Sequence, residues 1–195
     1  MAEVTPERIV GKVGDALLTL AKPWLGSRAK HSERRNMEPF KEQILNFRTF
    51  EFATTLKVLR AYPEDKLEMK PAEKSRTARE LAVAFIREEY VCRGAMRGDL
   101  SLADHAKDIP DSLHEMIEML NQIHHEVQGM IIQASEEELN RVIDFYGHKI
   151  RAIDALMAEL HDQIHHRGQF SVYLRLAGAK VPSIYGPTAD EPAGT

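Results

Sequence analysis

Three histidines and one carboxylate occur within the six-residue stretch His161-Asp162-Gln163-Ile164-His165-His166. Two pairs in this stretch are four residues apart, His161 with His165 and Asp162 with His166. In an α-helix, side chains with this spacing lie on the same face. One helix carrying such a pair can supply two ligands to a divalent metal ion. The stretch therefore indicates part of a metal site, with two alternative ligand pairs.

A long helix must present these residues, and the apolar pattern predicts one from about Ile150 to Ala177, with Gly178 as its C-cap. One apolar stripe of this helix, with His161 and His165 on its shoulder, contains Ile153, Met157, Leu160 and Ile164. A second stripe contains Asp162 and His166 together with Ala155, Ala158, Phe170, Tyr173 and Ala177. A helix that is apolar on two sides is buried on two sides. We therefore expect Asp162 and His166 to face a cavity or a subunit contact.

Glu88 is a second unusual carboxylate, because it falls inside an apolar stripe made by Leu81, Ala84, Phe85, Val91 and Cys92. A carboxylate buried without a partner is costly, so Glu88 should meet a cation, a metal or a hydrogen-bond donor. An internal ion pair with an arginine and a metal role are the two interpretations. Its neighbour Glu89 lies at the edge of the stripe and is expected in solvent.

The same apolar periodicity predicts further helices over Pro39–Ala61, over Thr77–Arg97 and from Pro110 to about Gln133. In the third of these, His124 and His125 lie in the middle, and one of them is expected to point inward. Another helix is predicted from Ser135 through Phe145, until Gly147 interrupts it. No β-strand alternation is convincing. Four principal helices predict an all-α four-helix bundle.

The chain divides into three parts on this pattern. Residues 1–36 form an N-terminal appendage, with an amphipathic helix over Thr5–Leu20 and then a basic linker. Residues 37–180 form the bundle domain. Residues 181–195 form a turn segment and a polar tail, which is expected to fray.

The composition limits the kinds of partner and cellular compartment that this protein can have. The 195 residues carry 26 basic and 30 acidic side chains, and a formal net charge of −4 makes nucleic acid an unlikely partner. The single cysteine, Cys92, cannot form an intrachain disulfide, which fits a reducing compartment. The sequence starts without a signal-peptide pattern and contains no apolar run of roughly 18 residues. We therefore expect a cytoplasmic protein that does not enter a membrane.

Three stretches carry a resemblance to a known family. His165-His166-Arg167-Gly168-Gln169, followed by Tyr173-Leu174-Arg175 and Gly178, resembles the final-helix signature of the DinB/YfiT-like superfamily. Thr77-Ala78-Arg79-Glu80-Leu81 resembles the start of that family's second helix. Val181-Pro182-Ser183-Ile184-Tyr185-Gly186-Pro187 resembles the end of one of its branches. The similarity covers about Met37 to Glu191.

The resemblance implies a four-helix bundle, often a homodimer, that holds a divalent metal, commonly zinc or nickel. In that family the ligands are one histidine on the second helix and two residues four apart on the last helix. Asp162 and His166 match the last-helix positions. Ala84 stands at the position of the second-helix histidine and cannot bind metal, which makes Glu88, one turn later, the obvious substitute. A Glu/Asp/His set favours harder ions, such as manganese or iron.

The resemblance also implies a function. A DinB-like metal-dependent enzyme would act on a small molecule, with a low-molecular-weight thiol among the candidates, as a thiol transferase or hydrolase. His165 would either support the metal ligands or transfer a proton, while Arg167 and Gln169 would position anionic substrate groups. The alternative is a non-catalytic dimeric bundle with a degenerate metal site.

Overall fold

The computed structural model describes residues 38–101 and 108–193, so the helix expected at Thr5–Leu20 lies outside the described residues. Four long helices dominate this part of the chain, which confirms the all-α four-helix bundle. They are α1 (Glu38–Arg60), α2 (Ala78–Arg97), α3 (Leu113–Gln133) and α5 (Ala152–Leu176). The minor elements are a 3-10 turn (Glu64–Lys66), the short helix α4 (Glu136–Asn140) and two strands, β1 (Val142–Phe145) and β2 (His148–Arg151).

The long helices surround the main apolar core, and a smaller apolar cluster joins α2 and α5 to β1. Helix α2 packs against α3 and α5, and α1 packs against the same two helices. Helices α1 and α2 therefore lie at opposite corners of the bundle. Each long helix contributes large buried side chains, including Leu59, Phe85, Leu120 and Phe170. Burial of such side chains supplies most of the stability of a helical bundle.

Local signals fix where the helices begin and end. The Thr77 hydroxyl accepts a hydrogen bond from the Glu80 backbone N–H, and the Glu80 carboxylate accepts one from the Thr77 N–H, which completes the predicted capping box. Helix α5 ends at Leu176, and Gly178 follows with a φ of 77°, a conformation that favours glycine.

A β-hairpin replaces the helix that was predicted from Ser135 through Phe145. The predicted start is right, because Ser135 and Glu138 form a capping box, but the helix ends at Asn140. Strands β1 and β2 then pair antiparallel, and Tyr146 and Gly147 between them both have positive φ, 50° and 85°. Positive φ at both central residues is typical of a two-residue hairpin turn. Gly147 is therefore a hairpin turn residue, and the expectation of no strand was wrong.

A buried set of polar side chains crosses the bundle, one from each long helix: Arg48, Glu89, His124 and Gln163. We call this set the four-helix polar layer. Glu89 accepts hydrogen bonds from Arg48 at 2.7 Å, His124 at 3.0 Å and Gln163 at 3.0 Å. Glu89 is fully buried, so the expectation that it lies in solvent was wrong. An arginine that reaches across from the opposite corner makes this burial possible, and helical spacing alone does not reveal that partner.

The segment after α5 folds back on the bundle. The Asp190 carboxylate accepts a hydrogen bond from the Val181 N–H at 2.9 Å and pairs with Arg175 on α5 at 2.7 Å. The Tyr185 hydroxyl donates to the Glu51 carboxylate of α1 at 2.7 Å. These contacts hold the turn segment, and the tail as far as Asp190, on the bundle. Among the described helices, none has the length and apolarity needed to cross a membrane.

Candidate metal centre

Three potential metal ligands meet between the adjacent helices α2 and α5. Glu88 comes from α2, and Asp162 and His166 come from consecutive turns of α5. One ligand atom of each residue lies within 4.8 Å of the others. The structure thus brings Asp162 and His166, the pair on the second stripe of α5, together with Glu88, the carboxylate within the apolar stripe of α2. We call this group the Glu88–Asp162–His166 cluster.

The His166 ring lies between two partners. Its Nδ1 makes a close hydrogen bond with a Glu88 carboxylate oxygen and lies 3.9 Å from Asp162 Oδ2. Its Nε2 lies 3.2 Å from a guanidinium nitrogen of Arg76. Because a guanidinium can only donate, Nε2 accepts and Nδ1 carries the proton that is donated to Glu88. Nδ1 is thus the ring nitrogen that faces both carboxylates.

Burial shifts the charge balance of the cluster. It raises the pKa of Glu88 well above the ordinary value, and the nearby Asp162 charge raises this pKa further. Burial also lowers the pKa of His166, against the opposing effect of Asp162 and with the help of Arg76. A neutral imidazole is the form that binds metal.

The residues fit a divalent metal ion on their own chemistry. Glu88 Oε2 is buried and has no hydrogen-bond partner among the described residues. An orphaned buried carboxylate oxygen requires an explanation, and a cation is a direct one. Two carboxylates and one imidazole form a hard-to-intermediate donor set. Three protein ligands are also the number found in many catalytic zinc sites.

A pocket of about 480 Å³ opens beside the cluster. Asp162 and His166 line it, together with two further parts of the chain. These are the segment before α2, represented by Pro71, Ser75 and Arg76, and the outer turns of α5, represented by His165, Gln169, Val172 and Tyr173. A concave pocket with converging polar groups and charged residues of shifted pKa is the usual form of a small-molecule site.

Two of the residues that were predicted to have catalytic roles, His165 and Gln169, lie in the wall of this pocket. The Gln169 side-chain nitrogen lies 2.8 Å from His165 Nε2, so the amide donates and the ring nitrogen accepts. His161 is exposed and lies outside the cluster. The alternative ligand pair, His161 with His165, is therefore not the one that meets Glu88.

Arg167 does not line the pocket. It is fully buried and donates to the Glu51 backbone oxygen at 2.9 Å and to the Glu51 carboxylate at 2.5 Å, with the Tyr185 hydroxyl in contact. The expectation that Arg167 positions substrate groups therefore does not match its place in the structure. One position along α5 rotates a side chain by about 100°, which moves Arg167 from the pocket side, where His166 lies, toward α1.

Two residues of this region were not predicted from the sequence. Arg76 immediately precedes Thr77, the N-cap of α2, and the Tyr173 hydroxyl donates to the Arg76 carbonyl at 2.8 Å. The capping box that starts α2 was the available signal for the position of Arg76. Glu159 is buried too, and burial together with the Glu88 charge raises its pKa well above the ordinary value. Glu159 is seven residues before His166, so the sequence already placed both side chains on the same face of α5.

Comparisons with known proteins agree with this fold. A sequence profile of the DinB family matches residues 36–195, and the chain therefore belongs to the DinB family. The uncharacterized protein YrdA of Bacillus subtilis (strain 168) is 34% identical over 93 residues, a match that spans 48% of this chain and 52% of YrdA. The chain thus spans about half the length of this curated relative.

Two solved structures have the same fold. A DinB-like protein from Bacillus cereus ATCC 10987 superposes with a TM-score of 0.64 at 23% identity, over 74% of this chain and 97% of that protein. The DinB-like protein YjoA from Bacillus subtilis superposes with a TM-score of 0.61 at 24% identity, over 73% of this chain and 96% of that protein. At this identity the two structures establish the fold alone.

Proposed function

We propose that this protein is a metal-dependent enzyme of the DinB family that acts on a small molecule by thiol transfer or hydrolysis. The observation that carries the proposal is the orphaned Glu88 oxygen, buried within the Glu88–Asp162–His166 cluster at the edge of a pocket. Glu88, Asp162 and His166 would hold the metal. It would supply Lewis-acid chemistry, lowering the pKa of the nucleophile.

The other residues of the pocket would handle the proton and the substrate. His165 is exposed at the pocket wall, where its imidazole would take the proton of the incoming nucleophile. In the structure the Gln169 amide donates to His165 Nε2, so this nitrogen would exchange that hydrogen bond for the proton of the nucleophile. Val172 and Tyr173 would contact the apolar part of the substrate.

Metal binding is the first test. Zinc, nickel and manganese are titrated separately into chelator-treated protein, and binding is measured by isothermal titration calorimetry. We expect wild type to bind one equivalent of at least one metal, and Glu88→Ala and His166→Ala to lose about tenfold or more in affinity because each loses a ligand. His161→Ala is the matched control, since this exposed histidine lies on the same helix outside the cluster.

Wild-type protein that binds none of the three metals would refute the proposal, as would equal affinity in all three variants. Activity is tested next with cysteine and an electrophilic aryl chloride. In this reaction the sulfur replaces chloride, and the thiol proton leaves with it. Metal-loaded wild type should consume cysteine faster than the His166→Ala variant.

The rival function is a non-catalytic bundle, and one observation favours it. His166 already has a partner at each ring nitrogen, Glu88 on one side and Arg76 on the other. A purely structural hydrogen-bonded chain would leave these contacts unchanged when metal is added. The histidine signals in an NMR spectrum distinguish the two functions, because metal binding at Nδ1 must shift the His166 ring resonances.

We also propose that the protein is a homodimer, as the resemblance to the family implies. Helix α1 carries exposed phenylalanines, Phe40, Phe47 and Phe50, and exposed aromatic side chains are common at subunit contacts. Light scattering after size exclusion should give twice the chain mass, and a monomer at all concentrations would refute the dimer.

A further inference from the structure

Among the described residues that line the pocket, Arg76 is the one with a permanent positive charge. Its backbone is held on both sides: Thr77 caps α2, and the Tyr173 hydroxyl donates to the Arg76 carbonyl at 2.8 Å. Its side chain is exposed, and one guanidinium nitrogen lies 3.2 Å from His166 Nε2. The backbone contacts thus hold Arg76 at the edge of α2 beside the pocket, and the guanidinium itself contacts His166.

Most of the N–H donors of this guanidinium have no partner among the described residues. Within the described ranges 38–101 and 108–193, its contact with His166 is its single side-chain hydrogen bond, and no carboxylate lies within 4.0 Å of it. A guanidinium has five N–H donors in a planar fork that matches a carboxylate. Other arginines of the structure have such partners, for example Arg151 with Asp154 and Arg175 with Asp190.

We infer that Arg76 determines substrate specificity by pairing with a carboxylate group of the substrate. This inference rests on the proposed function, which makes the pocket the substrate site. An entering carboxylate would offer Arg76 two charged acceptors in place of one neutral ring nitrogen, which is the stronger hydrogen-bonding arrangement. Arg76 would then take the role that was predicted for Arg167.

The pocket favours a small monocarboxylate with an apolar body. In the metal-free pocket, Asp162 would repel a second negative charge, which disfavours a phosphate dianion. Val172, Pro71 and the Tyr173 ring offer apolar surface beside Arg76. The substrate class is therefore a monoanionic carboxylic acid whose apolar part contacts Val172 and Tyr173.

Phenylacetate and phenylacetamide form a matched pair of probes, because they have nearly the same shape and differ in charge. Both are titrated by NMR into chelator-treated protein, so that direct contact of the carboxylate with a metal cannot produce a preference. Wild type should bind phenylacetate about tenfold more tightly than phenylacetamide, the value of one charge-assisted hydrogen bond. Arg76→Gln should lose this preference.

Arg87→Gln is the control variant, since Arg87 is exposed on α2 and lies outside the pocket; it should keep the wild-type preference. Equal binding of the two probes by wild type would overturn the inference, as would a preference that survives in Arg76→Gln or no saturable phenylacetate binding. Metal affinity, measured on the same variants, tests the proposed function separately. Because Arg76 is not a ligand, Arg76→Gln should still bind whichever metal the wild type binds.

Discussion

Glu88 and Glu89 are sequence neighbours, and both are buried, yet their pKa values move in opposite directions. Burial raises the pKa of Glu88, and the charge of Asp162 adds to the effect. Burial alone would raise the pKa of Glu89 as well, but Arg48 and the hydrogen bonds from His124 and Gln163 outweigh it and lower this pKa to about 2. Glu89 therefore stays an anion down to low pH, whereas burial favours the neutral form of Glu88 unless a cation lies beside it.

This difference predicts how Glu89→Gln changes stability with pH. Because the pKa of Glu89 in the folded protein lies below its ordinary value of 4.5, its stabilising effect is complete above that pH and is lost as the pH falls toward about 2. At pH 7 the variant should lose about 3 kcal/mol in free energy of unfolding, since Arg48 stays buried without its partner. The loss should shrink steadily as the pH falls below about 4.

Urea unfolding of wild type and variant across this pH range measures the effect. Glu118→Gln is the control, because Glu118 is an exposed glutamate on α3. A stability difference between wild type and Glu89→Gln that does not change with pH would show that Glu89 is not held as an anion.

The sequence marks Glu88, Asp162 and His166 as polar residues on apolar helical stripes, and the resemblance to the DinB/YfiT-like superfamily favours Asp162 with His166 over His161 with His165. It could not predict Glu89, because the cause of its burial is Arg48, a residue 41 positions away on the opposite corner of the bundle. The burial of Arg167 could not be predicted for the same reason, because its partner Glu51 is 116 positions away. Periodicity shows which face of a helix is unusual and does not show which distant side chain meets it.

At the scale of elements, the hairpin between α4 and α5 shows how one glycine selects between two structures. Ile143 and Phe145 alternate with exposed residues along β1, so a strand pattern is present but only four residues long. Gly147 was predicted to interrupt a helix, and helical structure is indeed absent there. A helix-breaking glycine, however, does not determine which structure its neighbours adopt. The left-handed conformation of both turn residues determines the hairpin.

Replacement of two glycines by alanine should therefore have opposite effects. Gly147 has a φ of 85° and no atom within 4 Å of an added Cβ, so Gly147→Ala should destabilise by about 1 kcal/mol through the backbone alone. Gly168 lies in α5 with equal space around it, and Gly168→Ala should stabilise by about 1 kcal/mol because alanine favours the helix.

Thermal unfolding of both variants gives the comparison, and each is the other's control. A Gly147→Ala protein as stable as wild type would mean that the turn does not require the left-handed conformation. The local fold of the hairpin can be checked by the backbone NMR shifts of residues 142–151.

At the scale of the whole molecule, the C-terminal segment bridges the first and last long helices, α1 and α5. Glu51 lies on α1, Arg167 on α5, and the Tyr185 hydroxyl contacts both side chains. The Arg167 guanidinium also lies 5.1 Å from the centre of the Tyr185 ring. The segment therefore helps to hold α1 against α5, and it does so on a side of α5 that does not face the pocket.

Tyr185→Phe tests this role, because it keeps the ring and removes the hydroxyl. We expect faster amide hydrogen exchange in residues 181–187 and a loss of about 1 kcal/mol in free energy of unfolding, since Glu51 and Arg167 lose a shared partner. Tyr90→Phe is the control, because among the described contacts the Tyr90 hydroxyl makes no hydrogen bond. Unchanged exchange in residues 181–187 would show that the hydroxyl does not hold the segment.

The four-helix polar layer has a consequence for how the chain folds. The partners of Glu89 are 41, 35 and 74 positions away along the chain, so no local helix can satisfy this carboxylate. A partly folded bundle that lacks one helix would bury Glu89 without a full set of donors, and such a state is costly. Half-formed bundles are therefore penalised, and α1, α2, α3 and α5 should assemble in a single cooperative step, seen as one exponential phase in refolding.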